Sequence, residues 1–281
     1  MGVRVSQSSP LQGIYEYCAP ATSGDACVSR LRKIAAGGFR VVLNYAVFDA
    51  DRAQLERYMD AAGQLGIQLI WPMKDRPWWG SASPASAYPA LAASCHCDGH
   101  DAFLRYVVGL VQSSPATWGY YVADEQSPHD APQVIAFSRR LHALDPHHPR
   151  LAVAVGDDDV ARLLRPYAQA ADVLGADSYP IGTGQPATRV AEIAGAVRGV
   201  TDATHRATAM VLQGFNWSAY PDALRAPGAR WPTRREMREM RDLAIQTAHP
   251  SLILWYSYFD ITNSANASAH WRDLIWAAAG S

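Results

Sequence analysis

The chain has 281 residues, 49% of them hydrophobic and 18% charged, and 25 basic and 26 acidic side chains leave a formal net charge of −1. This composition excludes a disordered chain, a coiled coil and a collagen-like fibre. The balanced charge, without blocks of one sign, argues against a nucleic-acid partner. No run approaches the roughly 18 uninterrupted apolar residues of a membrane span. We therefore expect neither nucleic acid nor a membrane as a partner.

Eight short apolar runs alternate with longer segments of helical character. Several of the runs are continuously apolar, which is typical of parallel strands covered on both faces. Strands are predicted at 13–17, 39–45, 67–73, 118–123, 151–155, 173–177, 208–214 and 252–258. Helices are predicted at 29–36, 50–65, 102–112, 132–144, 160–168, 188–197 and 234–247.

This order predicts an α/β fold, a single (β/α)8 TIM barrel over residues 1–281. Extended, aromatic-rich loops are expected after strand 3, at 76–100, and after strand 7, at 215–232. A doubly wound sheet is the competing architecture, but no glycine-rich phosphate loop follows any predicted strand.

The four cysteines form two close pairs, Cys18 with Cys27 and Cys95 with Cys97. These spacings differ from the paired Cys-x-x-Cys pattern of zinc sites, so no metal is expected, although His96 and His100 keep a small metal alternative open. Two local disulfides are expected instead, although four cysteines allow three connectivities, and free thiols in a cytosolic protein are the alternative. Disulfides would indicate an oxidising compartment, and hence a secreted protein whose signal peptide has been removed.

Chemistry in such a barrel lies at the carboxyl ends of the strands, where this sequence offers carboxylates among aromatic residues. Aromatic rings pack on the C–H face of a sugar, and polar side chains bond its hydroxyl groups. Trp78 and Trp79 are adjacent between prolines and glycine, and we expect them not to be buried together. The predicted carbohydrate-binding side chains are Tyr17, Asn44, Lys74, Trp71, Trp78, Trp79, Tyr179, Gln213, Trp217 and Trp255.

The sharpest signal is the acidic pair Asp124-Glu125, which ends the predicted fourth strand. Glycosidic bond cleavage needs an acid for the leaving oxygen and a second group that stabilises or attacks the oxocarbenium-like carbon. Repulsion and burial separate the pKa values of such a carboxyl pair. The structural alternative is that Asp124 caps the next helix and Glu125 is solvated. Asp177, after the sixth strand, is the third candidate for a catalytic carboxyl group. Its alternative role is structural, a hydrogen bond to the backbone of its own loop.

These strand ends resemble those of (β/α)8 glycoside hydrolases. The resemblance implies that Glu125 is the general acid/base. A glutamate nucleophile ends strand seven in the large retaining group of such barrels, but Gln213 stands there in this sequence. The Asp124-Glu125 pair is similar to that of substrate-assisted N-acetylhexosaminidases, in which the aspartate orients the 2-acetamido group and no protein nucleophile is needed.

We therefore expect a secreted, monomeric glycosidase that acts on a carbohydrate and needs no cofactor. Glu125 is its expected proton donor, and Asp124 and Asp177 share the orienting or base role. Inversion is the second mechanism, with Asp177 as the better base. The alternative functions are a sugar-binding barrel without hydrolysis, to which Gln213 points, and a metal-dependent hydrolase or deacetylase using Asp124, Asp177 and His129.

Overall fold

The computed structural model describes residues 9–80, 83–220 and 228–279. In these residues eight parallel strands close into one barrel, each hydrogen-bonded to the next along the chain and β8 to β1. The strands are β1 (Leu11–Glu16), β2 (Val41–Asn44), β3 (Gln68–Pro72), β4 (Thr117–Asp124), β5 (Arg150–Ala154), β6 (Val173–Ser178), β7 (Ala207–Gln213) and β8 (Leu252–Tyr256). The predicted (β/α)8 barrel is confirmed.

The helices surround the barrel and largely follow the predicted segments. They are α1 (Pro20–Ala36), α2 (Arg52–Gln64), α3 (Arg76–Trp79), α4 (Pro84–Ala87), α5 (Pro89–Cys95), α6 (His100–Val111), α7 (Ala131–Leu144), α8 (Val160–Leu164), α9 (Arg189–Thr204), α10 (Arg234–Ala248), α11 (Tyr258–Asn263) and α12 (Ala267–Ala278). Short 3₁₀ turns lie at Pro128–Asp130, Arg165–Gln169 and Trp217–Ala219. None of these helices is long and apolar enough to cross a membrane.

Two apolar layers result from the alternation of side chains along the strands. The inner layer fills the barrel with residues such as Tyr15, Leu43 and Leu254. The outer layer packs the other strand face against the helices, with residues such as Trp71 and Trp255. The face on which a strand residue lies therefore decides whether it can reach the mouth of the barrel.

A bulge in β4 changes this alternation just before the acidic pair. Tyr121 pairs with Leu151, but Ala123, two residues later, pairs with the next residue of β5, Ala152. Val122 and Ala123 both belong to the outer layer, whereas Tyr121 belongs to the inner one. The extra residue thus brings Asp124 back to the inner face, as bulges beside active sites often do.

The segment after β3 differs from the loop that we predicted. Three short helices, α3 to α5, occupy most of it. Each has a proline at its first or second position (Pro77, Pro84 and Pro89), and proline suits the first turn of a helix. The solvent exposure expected of Trp78 and Trp79 is wrong, since they are 0% and 6% exposed. Their indole N–H groups find partners in Tyr88 and in the Lys74 carbonyl, which removes the cost of burying them.

Cys18, between β1 and α1, forms a disulfide with Cys27 in the middle of α1, and their Cα atoms are 5.6 Å apart. This predicted pairing is confirmed. The Cα atoms of Cys95 and Cys97 lie 5.1 Å apart at the end of α5, and a bond between them stays a prediction. The second predicted loop, after β7, lies partly outside the described residues, at 221–227.

Candidate active site

A cavity of about 300 Å³ opens at the carboxyl ends of the strands. All three predicted catalytic carboxyl groups line it, together with mainly aromatic side chains. Its lining residues are Tyr15, Tyr45, Asp124, Glu125, Val153, Val155, Asp177, Tyr179, Phe215, Trp217, Tyr220 and Tyr256. The ends of β1, β4, β5, β6 and β8 and the segments after β2, β4, β5, β6 and β7 supply these side chains, so the barrel itself fixes the cavity.

The Asp124 carboxylate accepts hydrogen bonds from three groups of the barrel mouth. Tyr45 Oη and Lys74 Nζ bind Oδ2 at 2.9 and 3.0 Å, and Tyr121 Oη binds Oδ1 at 2.7 Å. The Lys74 ammonium also lies 4.5 Å from the centre of the Tyr45 ring. Burial alone would lower the pKa of Lys74, but the charges of Asp124 and Asp75 outweigh burial and raise it. Lys74 is therefore a permanent cation that holds Asp124 in one orientation.

Asp177 and Glu125 form a carboxyl pair whose members differ in exposure. Asp177 is 4% exposed, whereas Glu125 is open to solvent. Burial raises the pKa of Asp177 well above its usual value, and a hydrogen bond and the charge of Glu125 raise it further. Asp177 Oδ1 accepts a 2.7 Å bond from the Gly156 N–H. The raised pKa favours the neutral form of Asp177, which can donate a hydrogen bond to Glu125.

The backbone of Glu125 is left-handed, with φ of +52°. Its N–H donates to the Val153 carbonyl oxygen at 2.8 Å, which anchors the turn to β5. A residue other than glycine, asparagine or aspartate rarely adopts this conformation, which costs of the order of 1 kcal/mol or more. Strain of this kind persists where the surrounding structure imposes it, and it concentrates at functional sites.

Aromatic rings form the floor and one wall of the cavity. Tyr15 packs against Tyr45 and Tyr256, with ring centroids 5.4 and 5.1 Å apart. Trp217 packs edge-on against Phe215 at 5.0 Å, and its indole N–H donates to the Tyr179 carbonyl. Because Trp217 is only half-buried, part of its ring is free to contact a ligand.

Of the predicted sugar-binding residues, Tyr179 and Trp217 line the cavity. Lys74 is not in the lining but forms an ion pair with Asp124, which is. The structure does not bring the other seven into its lining: Tyr17, Asn44, Trp71, Trp78, Trp79, Gln213 and Trp255. Tyr17 is 59% exposed and packs on Phe259 at the rim. The other six are buried, because they face the helices or hold loop backbone in place.

Gln213 and Asn44 show what these buried polar groups do instead. Gln213 is 0% exposed, and its amide binds both the N–H and the carbonyl of Ile181, at 2.8 and 2.9 Å. Asn44 binds both backbone groups of Cys18, at 3.0 and 2.8 Å. Both amides therefore brace loops that carry other residues, and β7 contributes no carboxylate to the cavity.

Sequence reasoning missed several cavity residues as binding residues: Tyr15, Tyr45, Val153, Val155, Phe215, Tyr220 and Tyr256. Alternation along the strands could have found some of them, since Tyr256 follows Trp255 and faces the opposite side of the sheet. Within the described ranges 9–80, 83–220 and 228–279, no three His, Cys, Asp or Glu side chains are grouped as metal ligands.

Comparison with solved structures shows that this fold is shared with glycoside hydrolases. An endo-β-1,4-mannanase from Thermotoga petrophila is 12% identical and superposes with a TM-score of 0.59, over 97% of this chain and 78% of its own. A β-galactosidase from Marinomonas ef1 is 11% identical, with a TM-score of 0.64 over 94% and 58%. A family 5 glycoside hydrolase from Bacteroides vulgatus is 9% identical, with a TM-score of 0.61 over 95% and 64%.

No protein-family model matches the sequence, and no curated protein matches it. Identities this low establish the shared barrel architecture, and activity has to be argued from the site itself. These comparisons therefore show that the chain has a (β/α)8-barrel fold.

Proposed function

We propose that this protein is a glycoside hydrolase that acts on a polysaccharide or glycan, with Glu125 as the proton donor. The observation that carries the proposal is the hydrogen-bonded pair of Asp177 and Glu125 in an aromatic-lined cavity at the mouth of a barrel. Such a pair keeps one proton available near neutral pH, which protonation of a glycosidic oxygen requires.

In the proposed reaction, Glu125 takes the proton of the pair from Asp177 and passes it to the leaving oxygen as the glycosidic C–O bond breaks. The pair is left with one more negative charge, and the Gly156 N–H bound to Asp177 helps to stabilise it. Water then adds its oxygen to the sugar carbon and returns one proton to the pair. Atoms and charges balance over the cycle without a cofactor.

Asp124 has the role of stabilising positive charge on the sugar, or of orienting a 2-acetamido group that attacks its own anomeric carbon. The three donors that fix its carboxylate support this role. The contact between Asp177 and Glu125 argues against Asp177 as an inverting base, since inversion uses carboxyl groups about 6.5–9.5 Å apart with a water between them.

The test is product release from a panel of polysaccharides and aryl glycosides, with NMR of the first-formed anomer. On substrates with a poor leaving group, Glu125→Gln should lower turnover by about 10²–10⁴-fold, the usual contribution of a general acid. Glu56→Gln is the matched control, because Glu56 pairs with Arg52 on the outer helix α2. A retained anomer is expected for substrate assistance. Undiminished release by the Glu125 variant would contradict the proposal.

A sugar-binding barrel without hydrolysis is the second candidate, and the side chain at the end of β7 favours it. Gln213 cannot act as a nucleophile, and its amide is committed to the Ile181 backbone. This candidate predicts calorimetric binding of a glycan by the wild type and by Glu125→Gln alike, with no product from either.

Secretion is part of the proposal and is supported by the Cys18–Cys27 disulfide, because such bonds persist in oxidising compartments. Thiol titration of the protein from its native source checks this point, and free Cys18 and Cys27 would contradict it. The monomeric state that we expect is tested by light scattering.

A further inference from the structure

A second cavity, of about 280 Å³, adjoins the first one at the carboxyl end of β6. Both cavities share Val155, Asp177, Tyr179 and Trp217 in their linings. The second extends outward along the segment between β6 and α9. The two volumes are therefore compartments of one cleft, with these four residues at the boundary.

The linings of the two compartments differ in chemistry. Rings of Tyr15, Tyr45 and Tyr256 line the first, whereas Thr183, Gln185 and Arg189 line part of the second. The aromatic compartment suits the ring whose C–H face must be held during cleavage. The polar compartment suits a second unit that presents hydroxyl groups.

Arg189 does not make the second compartment a site for anions. Its guanidinium forms ion pairs with Asp158 and with Glu192, so its charge is already balanced. The neighbouring Asp157 and Asp159 are exposed and add negative charge. An uncharged saccharide fits this environment better than a uronate or a sulfated sugar does.

We propose that the cleft binds two consecutive units of an uncharged saccharide, with the reacting ring in the aromatic compartment and the leaving sugar in the polar one. This inference rests on the proposed function. The proton-bearing Asp177 lines both compartments and contacts Glu125, so an oxygen that joins the two rings lies next to the proton source. The substrate is therefore an oligosaccharide or polysaccharide, and a small aglycone leaves the polar compartment empty.

The experiment fills the polar compartment with Gln185→Trp and compares kcat/KM for a glycosyl fluoride, whose leaving group is a single atom, with kcat/KM for a series of uncharged oligosaccharides of the same sugar. Gln185 is exposed in its loop, so a larger side chain can be accommodated. Thr188→Trp is the matched control, because Thr188 is exposed and makes no capping bond, and it does not line the compartment.

Gln185→Trp should lower kcat/KM for disaccharides and longer substrates by about tenfold or more relative to its effect on the glycosyl fluoride. In the Glu125→Gln background, the same substitution should weaken calorimetric binding of the oligosaccharide. Equal effects of Gln185→Trp and Thr188→Trp on oligosaccharides would overturn the two-compartment proposal.

The two proposals fail in different ways. Aryl glycoside turnover that depends on Glu125, combined with no selective effect of Gln185→Trp, overturns the second compartment alone. Absence of turnover on every glycoside, or turnover that survives Glu125→Gln, overturns the proposed function and with it the reacting-ring assignment.

Discussion

The buried carboxyl group of Asp177 hydrogen-bonds to the exposed carboxyl group of Glu125, and the raised pKa of Asp177 makes it the protonated partner. An unfolded aspartate titrates near about pH 3.9, so above that pH the folded state binds the extra proton. Stability therefore falls as the pH rises from the unfolded pKa toward the folded one. Below the unfolded pKa, this pair has no such effect.

Asp177→Asn should remove that fall, because an amide can accept from Gly156 and donate to Glu125 without titrating. The free energy of unfolding of the variant should exceed that of the wild type by an increasing amount, at most about 1.4 kcal/mol per pH unit. Urea unfolding between about pH 4 and 8 measures it. Parallel curves for the two proteins would show that Asp177 is not protonated in the folded state.

Lys74 is expected to act on the reaction through Asp124, whose carboxylate it binds at 3.0 Å. Lys74→Met keeps the length of the side chain and removes its charge, and a lost bond to a charged group corresponds to about 10- to 100-fold in kcat. The loss should appear in kcat more than in KM, because Lys74 orients the Asp124 carboxylate. Lys74→Arg should recover part of the activity. A change in KM alone, with kcat unchanged, would point to substrate binding instead.

Two tryptophans that look alike in sequence should respond differently to removal. Trp217→Ala should raise KM by about 3- to 10-fold through lost stacking, with little change in stability, because its ring is half-exposed at the cavity. Trp78→Ala should cost about 3–5 kcal/mol of stability, since Trp78 is fully buried against Phe48 and Phe103. Thermal unfolding and saturation kinetics separate the two effects. A stability loss confined to Trp217→Ala would contradict this assignment.

Gly156 lies so close to β6 that a Cβ atom there would overlap the backbone carbonyl oxygen of Asp177. Gly156→Ala should therefore cost about 1–3 kcal/mol and displace the carboxyl pair, with a matching loss of activity. Gly199→Ala is the control, because nothing lies within 4 Å of a Cβ at that position of α9. The control should gain about 0.5–1 kcal/mol. Equal unfolding midpoints for the two variants would refute the expected clash.

The barrel could be predicted because apolar runs and helix periods recur eight times, and each repeat adds evidence for the same architecture. The carboxyl groups could be predicted because Asp124, Glu125 and Asp177 come directly after apolar strands, at the end of the barrel where chemistry occurs. These features depend on local patterns along the chain.

The aromatic lining could not be predicted in the same way. Trp255 and Tyr256 are adjacent, yet Trp255 packs against the outer helices and Tyr256 lines the cavity. Which neighbour faces inward depends on the phase of the strand, and the number of aromatic residues does not fix it. Trp78 and Trp79 were misjudged for another reason. They lie in the short helix α3, which no hydrophobic period indicates, and Phe48, Tyr88 and Phe103 pack against Trp78.

The bulge in β4 sets the position of the acidic pair along the barrel as well as the face on which Asp124 lies. If Val122 instead paired with Ala152, Asp124 would lie one position further along β5 and on the outer face, away from Lys74, Tyr45 and Tyr121. Removal of Val122 should keep the pairing of Ala123 with Ala152 and of Asp124 with Val153, and so leave the carboxylate inside the barrel. A search for relatives with the same site should therefore compare the pairing of this strand with β5 as well as the Asp-Glu pair itself, since a relative without the extra residue can hold the same acids in the same place.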